Sequence, residues 1–108
     1  MALIVTTDDN FRDVFAANAN RPVFLYFSAS WCRPCKEICP LIDELISKHD
    51  GKFTVIKIDI DDCPDITDEY KIDSVPSVLL IIEGKIIETI TGADDKAIRA
   101  VFDKKYTQ

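Results

Sequence analysis

Val23-Phe24-Leu25-Tyr26-Phe27-Ser28-Ala29-Ser30-Trp31-Cys32-Arg33-Pro34-Cys35-Lys36 is the stretch on which the fold turns. The run Val23 to Phe27 is apolar at every position, as a central parallel strand covered on both faces must be. A helix-like pattern follows it. Two cysteines, two residues apart, therefore fall where a buried strand hands over to a helix. At a helix N-terminus the unpaired N–H groups and the dipole favour negative charge. A thiol whose reference pKa is about 8.5 ionises more easily there. Cys32 is accordingly expected to be partly exposed and nucleophilic. Cys35, one turn deeper, is placed to attack a mixed disulfide formed by Cys32.

Downstream, the periodicity predicts a helix over 34–49 with Ile38, Leu41, Ile42, Leu45 and Ile46 on one buried stripe. Pro34 suits its first turn, where an N–H would be orphaned anyway. Pro40 lies inside and removes a backbone bond, which predicts a kink. Asp50-Gly51 ends the helix. Phe53 to Ile60 is rich in β-branched residues and reads as a strand. Asp61 to Tyr70 reads as a turn and short helix; the acidic run Asp59, Asp61, Asp62 and Asp65 reads as a solvated loop, with one or two of its members available to cap that helix. Ser77 to Ile82 and Lys85 to Thr91 flank Glu83-Gly84, a two-residue hairpin signal. Asp94 or Asp95 caps a last helix that buries Ile98, Val101 and Phe102.

Upstream, Ala2 to Thr6 reads as a short strand. Thr7 or Asp8 is a cap for a helix that buries Phe11, Val14 and Phe15. The predicted order is βαβαβαββα. Three parallel strands and an antiparallel pair make one mixed five-stranded sheet flanked by four helices, an α/β fold.

The chain has 108 residues, 47% of them hydrophobic, which suits a single domain over 1–108 with an ample core. A net charge of −6 argues against nucleic acid or an acidic membrane as partner. No apolar run approaches the roughly 20 residues of a membrane helix, and the N-terminal residues lack the pattern of a signal peptide. The reading is cytosolic and monomeric. In a reducing compartment a Cys-x-x-Cys pair near a βαβ pattern points to exchange chemistry or to metal.

Trp31-Cys32-Arg33-Pro34-Cys35-Lys36 after an apolar strand resembles the active site of the thioredoxin family, and the element order is that of the same family. The likeness extends over the whole chain. It implies a dithiol–disulfide oxidoreductase that reduces protein disulfides, with no cofactor or metal beyond its own cysteine pair. It also implies an NADPH-dependent thioredoxin reductase as electron donor. Asp59-Ile60-Asp61-Asp62-Cys63-Pro64 and Phe27-Ser28-Ala29-Ser30 are similar to eukaryotic cytosolic members. Pro76, in Ser74-Val75-Pro76-Ser77, resembles the family's cis-proline; there Val75 would offer backbone groups to an extended substrate. Gly92 matches a glycine beside the site that leaves room for a partner. Trp31 would help form an apolar docking rim, and Lys36 would stay solvated.

The chain departs from the family at two places. Arg33 stands where the most familiar members have glycine. A cation roughly 6 Å from the Cys32 sulfur contributes about 1–2 kcal/mol. It would favour the thiolate and make the pair less reducing by ~10–40 mV. Tyr26 stands where a buried aspartate is usual, so the proton route to Cys35 needs another group. Water or neutral Lys57 would substitute; otherwise Tyr26 packs in the core with its hydroxyl on backbone or water. Asp59, on the same strand face as Lys57, would pair with it or face water.

Three alternatives stay open at this level. One is a specialised exchange or isomerase variant of raised potential. Another is a metal protein using Cys32, Cys35, Cys39 and Cys63, although their spacing is poor for tetrahedral ligation. The third is a binding module with a vestigial dithiol. Cys39 and Cys63 are regulatory or inert thiols, and His49 closes the second helix without a catalytic role.

Overall fold

The structure is a computed structural model that describes residues 3–49 and 51–103. Five strands and four helices follow in the predicted order: β1 (Leu3–Val5), α1 (Phe11–Ala17), β2 (Val23–Ser28), α2 (Arg33–Lys48), β3 (Thr54–Asp59), α3 (Pro64–Glu69), β4 (Ser77–Ile82), β5 (Lys85–Thr91) and α4 (Asp95–Asp103). The sheet order is β1-β3-β2-β4-β5. β1 and β2 each pair parallel with β3, whereas β4 runs antiparallel to β2 and to β5. Crossover helices are what parallel neighbours require. The predicted beginning of β1 at Ala2, and Asp50 at the end of α2, lie outside the described residues.

All six residues of β2 are buried, because the strand is central and both of its faces are covered. Strand alternation then sorts the side chains. Phe24 and Tyr26 face a core shared with α2 and α4. Val23, Leu25 and Phe27 face a second core under α1 and α3. The α2 stripe is buried as predicted, at Ile38, Leu41, Ile42, Leu45 and Ile46. Phe24 belongs to an aromatic group: its ring stacks on Phe102 with centroids 3.9 Å apart and meets the edge of Phe53 at 5.0 Å. On α1, Phe11 is buried, while Val14 and Phe15 are only partly covered.

Pro34 sits in the first turn of α2, and the helix runs on through Pro40. The Glu83-Gly84 connection has positive φ at both residues, 52° and 79°. That matches a type I′ hairpin turn, which follows the right-handed strand twist. Asp94 caps α4 by accepting from the Ala97 N–H at 3.1 Å.

The other capping expectations are corrected. Neither Thr7 nor Asp8 caps α1, whose N-cap residue is Asn10 with no side-chain cap bond. Asp8 instead caps α3 from across the molecule, its two carboxylate oxygens accepting from the N–H groups of Asp65 and Ile66 at 3.1 and 3.0 Å. The Asp59–Asp65 run does not supply that cap. Cys63 holds the N-cap place without a side-chain bond, and a donated carboxylate worth about 1 kcal/mol does its work.

Candidate active site

The C-terminal end of β2 opens the site, as is common where parallel strands end. After Ser28 the chain makes a turn closed by the Cys32 N–H on the Ala29 carbonyl, 3.1 Å. This delivers Cys32 to the N-cap of α2 in extended backbone, φ −87° and ψ 109°. There its sulfur does what an oxygen does in an ordinary cap: it accepts the Cys35 N–H at 3.1 Å. A donor aimed at sulfur favours the anion over the thiol, and the helix dipole acts in the same direction. Cys32 and Cys35 are joined as a disulfide, with Cα atoms 5.3 Å apart.

The expectation that Cys32 is partly exposed is corrected. Cys32 is 4% and Cys35 2% exposed, in a small cluster with Ala29 against which Val75 and Ile60 pack. The half-buried Val75 comes from the loop before β4, where the Val75–Pro76 peptide is cis, as the family resemblance implied. The Pro76 carbonyl accepts from the Gly92 N–H at 2.8 Å, tying the end of β5 to this loop. Gly92 has φ +91°, a conformation that L side chains rarely adopt, and a Cβ there would meet nothing within 4 Å. The position therefore requires glycine for its backbone, and the space beside it is open.

Trp31 is 66% exposed, so it does not fill the core. Its indole N–H donates to the Asp61 carboxylate at 2.8 Å. That partner was missed from the sequence, because it depends on a turn in which Asp59 Oδ1 accepts from the N–H groups of Asp61 and Asp62. Arg33, Pro34 and Lys36 are exposed along the first turn of α2.

Tyr26 is buried, and its hydroxyl donates to the Cys35 carbonyl at 3.2 Å. The Cys39 sulfur lies 3.6 Å from the same oxygen. With the phenol proton committed to the carbonyl, the Cys39 thiol is the donor of that second contact. Burial above all, with Cys39 and Asp43 adding to it, pushes the phenol's pKa well above its ordinary value. The reading of Tyr26 as a core residue bonded to backbone therefore holds. Of the two readings of Asp59, the pair with Lys57 does not form among the described residues: Lys57 Nζ lies 5.9 Å from the centre of the Tyr26 ring. Beside Cys35 opens a cleft of about 400 Å³, lined among others by Tyr26, Cys39, Lys57 and Asp59.

The four cysteines are not gathered in one place. Cys39 follows the pair along α2, whereas Cys63 is buried in the core under α1 and α3 and donates to the Thr6 carbonyl at 3.4 Å. Burial, with Asp8, Asp62 and Asp59 nearby, pushes the Cys63 thiol up. His49 caps the end of α2 and bonds Asp103 at 2.7 Å.

Comparison with known proteins agrees with this geometry. The chain is 36% identical over 101 residues to thioredoxin C-2 of Corynebacterium nephridii, covering 93% of this chain and 92% of that one. It is 35% identical over 106 residues to a thioredoxin of Pyropia yezoensis, covering 98% of each. Others in the same identity range are named as chloroplastic or mitochondrial thioredoxins. Among solved structures, reduced thioredoxin pre-protein of Schistosoma mansoni superposes with a TM-score of 0.88 at 28% identity, covering 97% of this chain and 99% of that one. The thioredoxin family model matches residues 2–104, so the chain belongs to the thioredoxin family and is a thiol–disulfide oxidoreductase.

Proposed function

We propose that this protein is a general reductant of protein disulfides, recharged by an NADPH-dependent thioredoxin reductase and acting as a cytosolic monomer of the eukaryotic type. One observation carries the assignment of roles: the Cys32 sulfur, and not that of Cys35, takes the N-cap and accepts a backbone N–H. Cys32 is then the sulfur better held as thiolate. It attacks one sulfur of a substrate disulfide, forming a mixed disulfide and releasing the first substrate thiolate. Cys35, as thiolate, attacks Cys32 Sγ, which breaks the mixed disulfide and forms Cys32–Cys35. Two electrons pass to the substrate, and its two thiolates take up the two protons that the cysteines lose.

The substrate segment docks over Val75, Pro76 and Gly92, with Trp31 as the exposed apolar edge. The open space at Gly92 and the packing of Val75 against the pair support this. Insulin reduction tests the reading. Turbidity is expected to rise early with dithiothreitol and again with NADPH and thioredoxin reductase. Response to dithiothreitol alone would instead mark a specialised exchange variant with another donor.

Arg33 sets the potential. It is exposed and has no ion pair among the described residues, so its charge is not neutralised by a neighbour. Replacing Arg33 with glycine is expected to lower the reduction potential of the pair by ~10–40 mV in equilibration with a glutathione or dithiothreitol couple. An unchanged potential would show that solvent screens the charge.

A further inference from the structure

We propose that Asp59 takes up the Cys35 proton, through solvent in the adjacent cleft, when the mixed disulfide is resolved. This rests on the reading of Cys32 as attacker and Cys35 as resolving thiol. Cys35 must become a thiolate, yet it is almost wholly covered, and burial disfavours the anion. An acceptor must therefore be within reach of its proton.

The groups around the cleft leave one choice. β2 contributes Tyr26, whose hydroxyl proton is committed to the Cys35 carbonyl. The phenol oxygen in turn meets the Cys39 thiol. α2 contributes Cys39 and Lys36, and Asp43 further along acts on Tyr26 by charge. β3 contributes Lys57 and Asp59. The two ammonium groups have no lone pair to offer. Asp59 is the single carboxylate lining the cleft among the described residues. Its Oδ1 is held by the N–H groups of Asp61 and Asp62, which fixes the carboxylate at the end of the strand. Its Oδ2 has no protein partner among the described residues.

The step balances without another reactant. Water passes the Cys35 proton to the Asp59 carboxylate, leaving a carboxylic acid and a Cys35 thiolate. The thiolate attacks Cys32 Sγ, the Cys32–substrate bond breaks and Cys32–Cys35 forms. The departing substrate thiolate takes the proton back from Asp59 by the same water. Asp59 acts through solvent and does not touch the sulfur, so it is a positioning residue for the proton.

A chromogenic aromatic disulfide separates the two half-reactions, because attack by Cys32 is bimolecular and resolution by Cys35 is independent of reagent concentration. In Asp59→Asn the amide oxygen can still accept from Asp61 and Asp62, so the turn is kept while the base is lost. We expect the first phase to stay unchanged and the second to slow about tenfold at neutral pH. That is below the roughly 10²–10⁴-fold of direct general-base catalysis, as suits a base acting through water. The deficit should shrink as pH rises and hydroxide takes over. Adding Tyr26→Asp to Asp59→Asn supplies a buried carboxylate and should restore the second phase to within about threefold, the residual being below the usual range for a lost base. An unchanged second phase in Asp59→Asn, or a slow phase that neither pH nor Tyr26→Asp relieves, overturns the role of Asp59. Absence of any first phase in the unaltered protein overturns the redox reading instead.

Discussion

Cys35→Ser is expected to stop turnover while leaving the first attack intact. Serine is nearly isosteric with cysteine, so the packing of this 2%-exposed position against Ala29 survives. The N–H that donates to Cys32 Sγ belongs to the backbone of residue 35 and is kept as well. Cys32 therefore retains its activation and forms a mixed disulfide, but no neighbouring thiolate displaces the substrate. Insulin reduction should fall by about 10³-fold or more, the scale on which losing one member of a catalytic unit acts. A one-to-one covalent complex should accumulate on a non-reducing gel, and Cys32→Ser should form none. Turnover of Cys35→Ser within tenfold of the unaltered protein would refute the resolving role and pass it to Cys39, the next cysteine along the helix.

The largest loss of stability is expected at Phe24. Its ring is 1% exposed at the centre of β2 and holds Phe102 of α4 face to face and Phe53 edge-on. Phe53 also meets the Phe102 edge at 5.2 Å, so the three rings close a triangle. Phe24→Ala removes one member of the triangle and leaves a cavity between two rigid elements, the sheet and α4. Such a change costs about 3–5 kcal/mol, a large share of the 5–15 kcal/mol typical of a domain. The urea midpoint should fall by roughly 2 M, since domains of this size lose about 1–3 kcal/mol per molar urea. Phe24→Leu fills most of the space and should cost under about 2 kcal/mol. A midpoint for Phe24→Ala within roughly 0.5 M of the unaltered protein, the effect of a tolerated swap, would show that the triangle is not where the core is tied.

The elements were legible because their signals are local. The all-apolar run Val23–Phe27, the 3.6-residue stripe from Ile38 to Ile46 and the Glu83-Gly84 turn each declare themselves within a few residues. So did the Cys-x-x-Cys placement at a strand–helix junction. What the sequence hid depends on groups far apart in the chain. Asp8 sits before α1 and looks like its cap, but its carboxylate is spent on α3, 57 and 58 residues away. The burial of Cys32 follows from Val75 and Ile60, which the chain brings in from later loops. The Trp31–Asp61 bond follows from a turn that Asp59 Oδ1 closes by accepting backbone donors. Periodicity cannot report such choices, because each is a competition among several partners for one polar atom.

The loan of Asp8 to α3 ties the chain's opening residues to its middle. A six-residue helix is far below the length that persists alone in water, and this one has no cap of its own. Its order is bound to closing a loop of more than fifty residues, an entropic toll that falls on assembly of the sheet as a whole. The segment beyond β3 is therefore expected to be a late, topology-governed passenger in the formation of the domain, waiting on β1 to settle beside β3 before its first turn has anything to lean on.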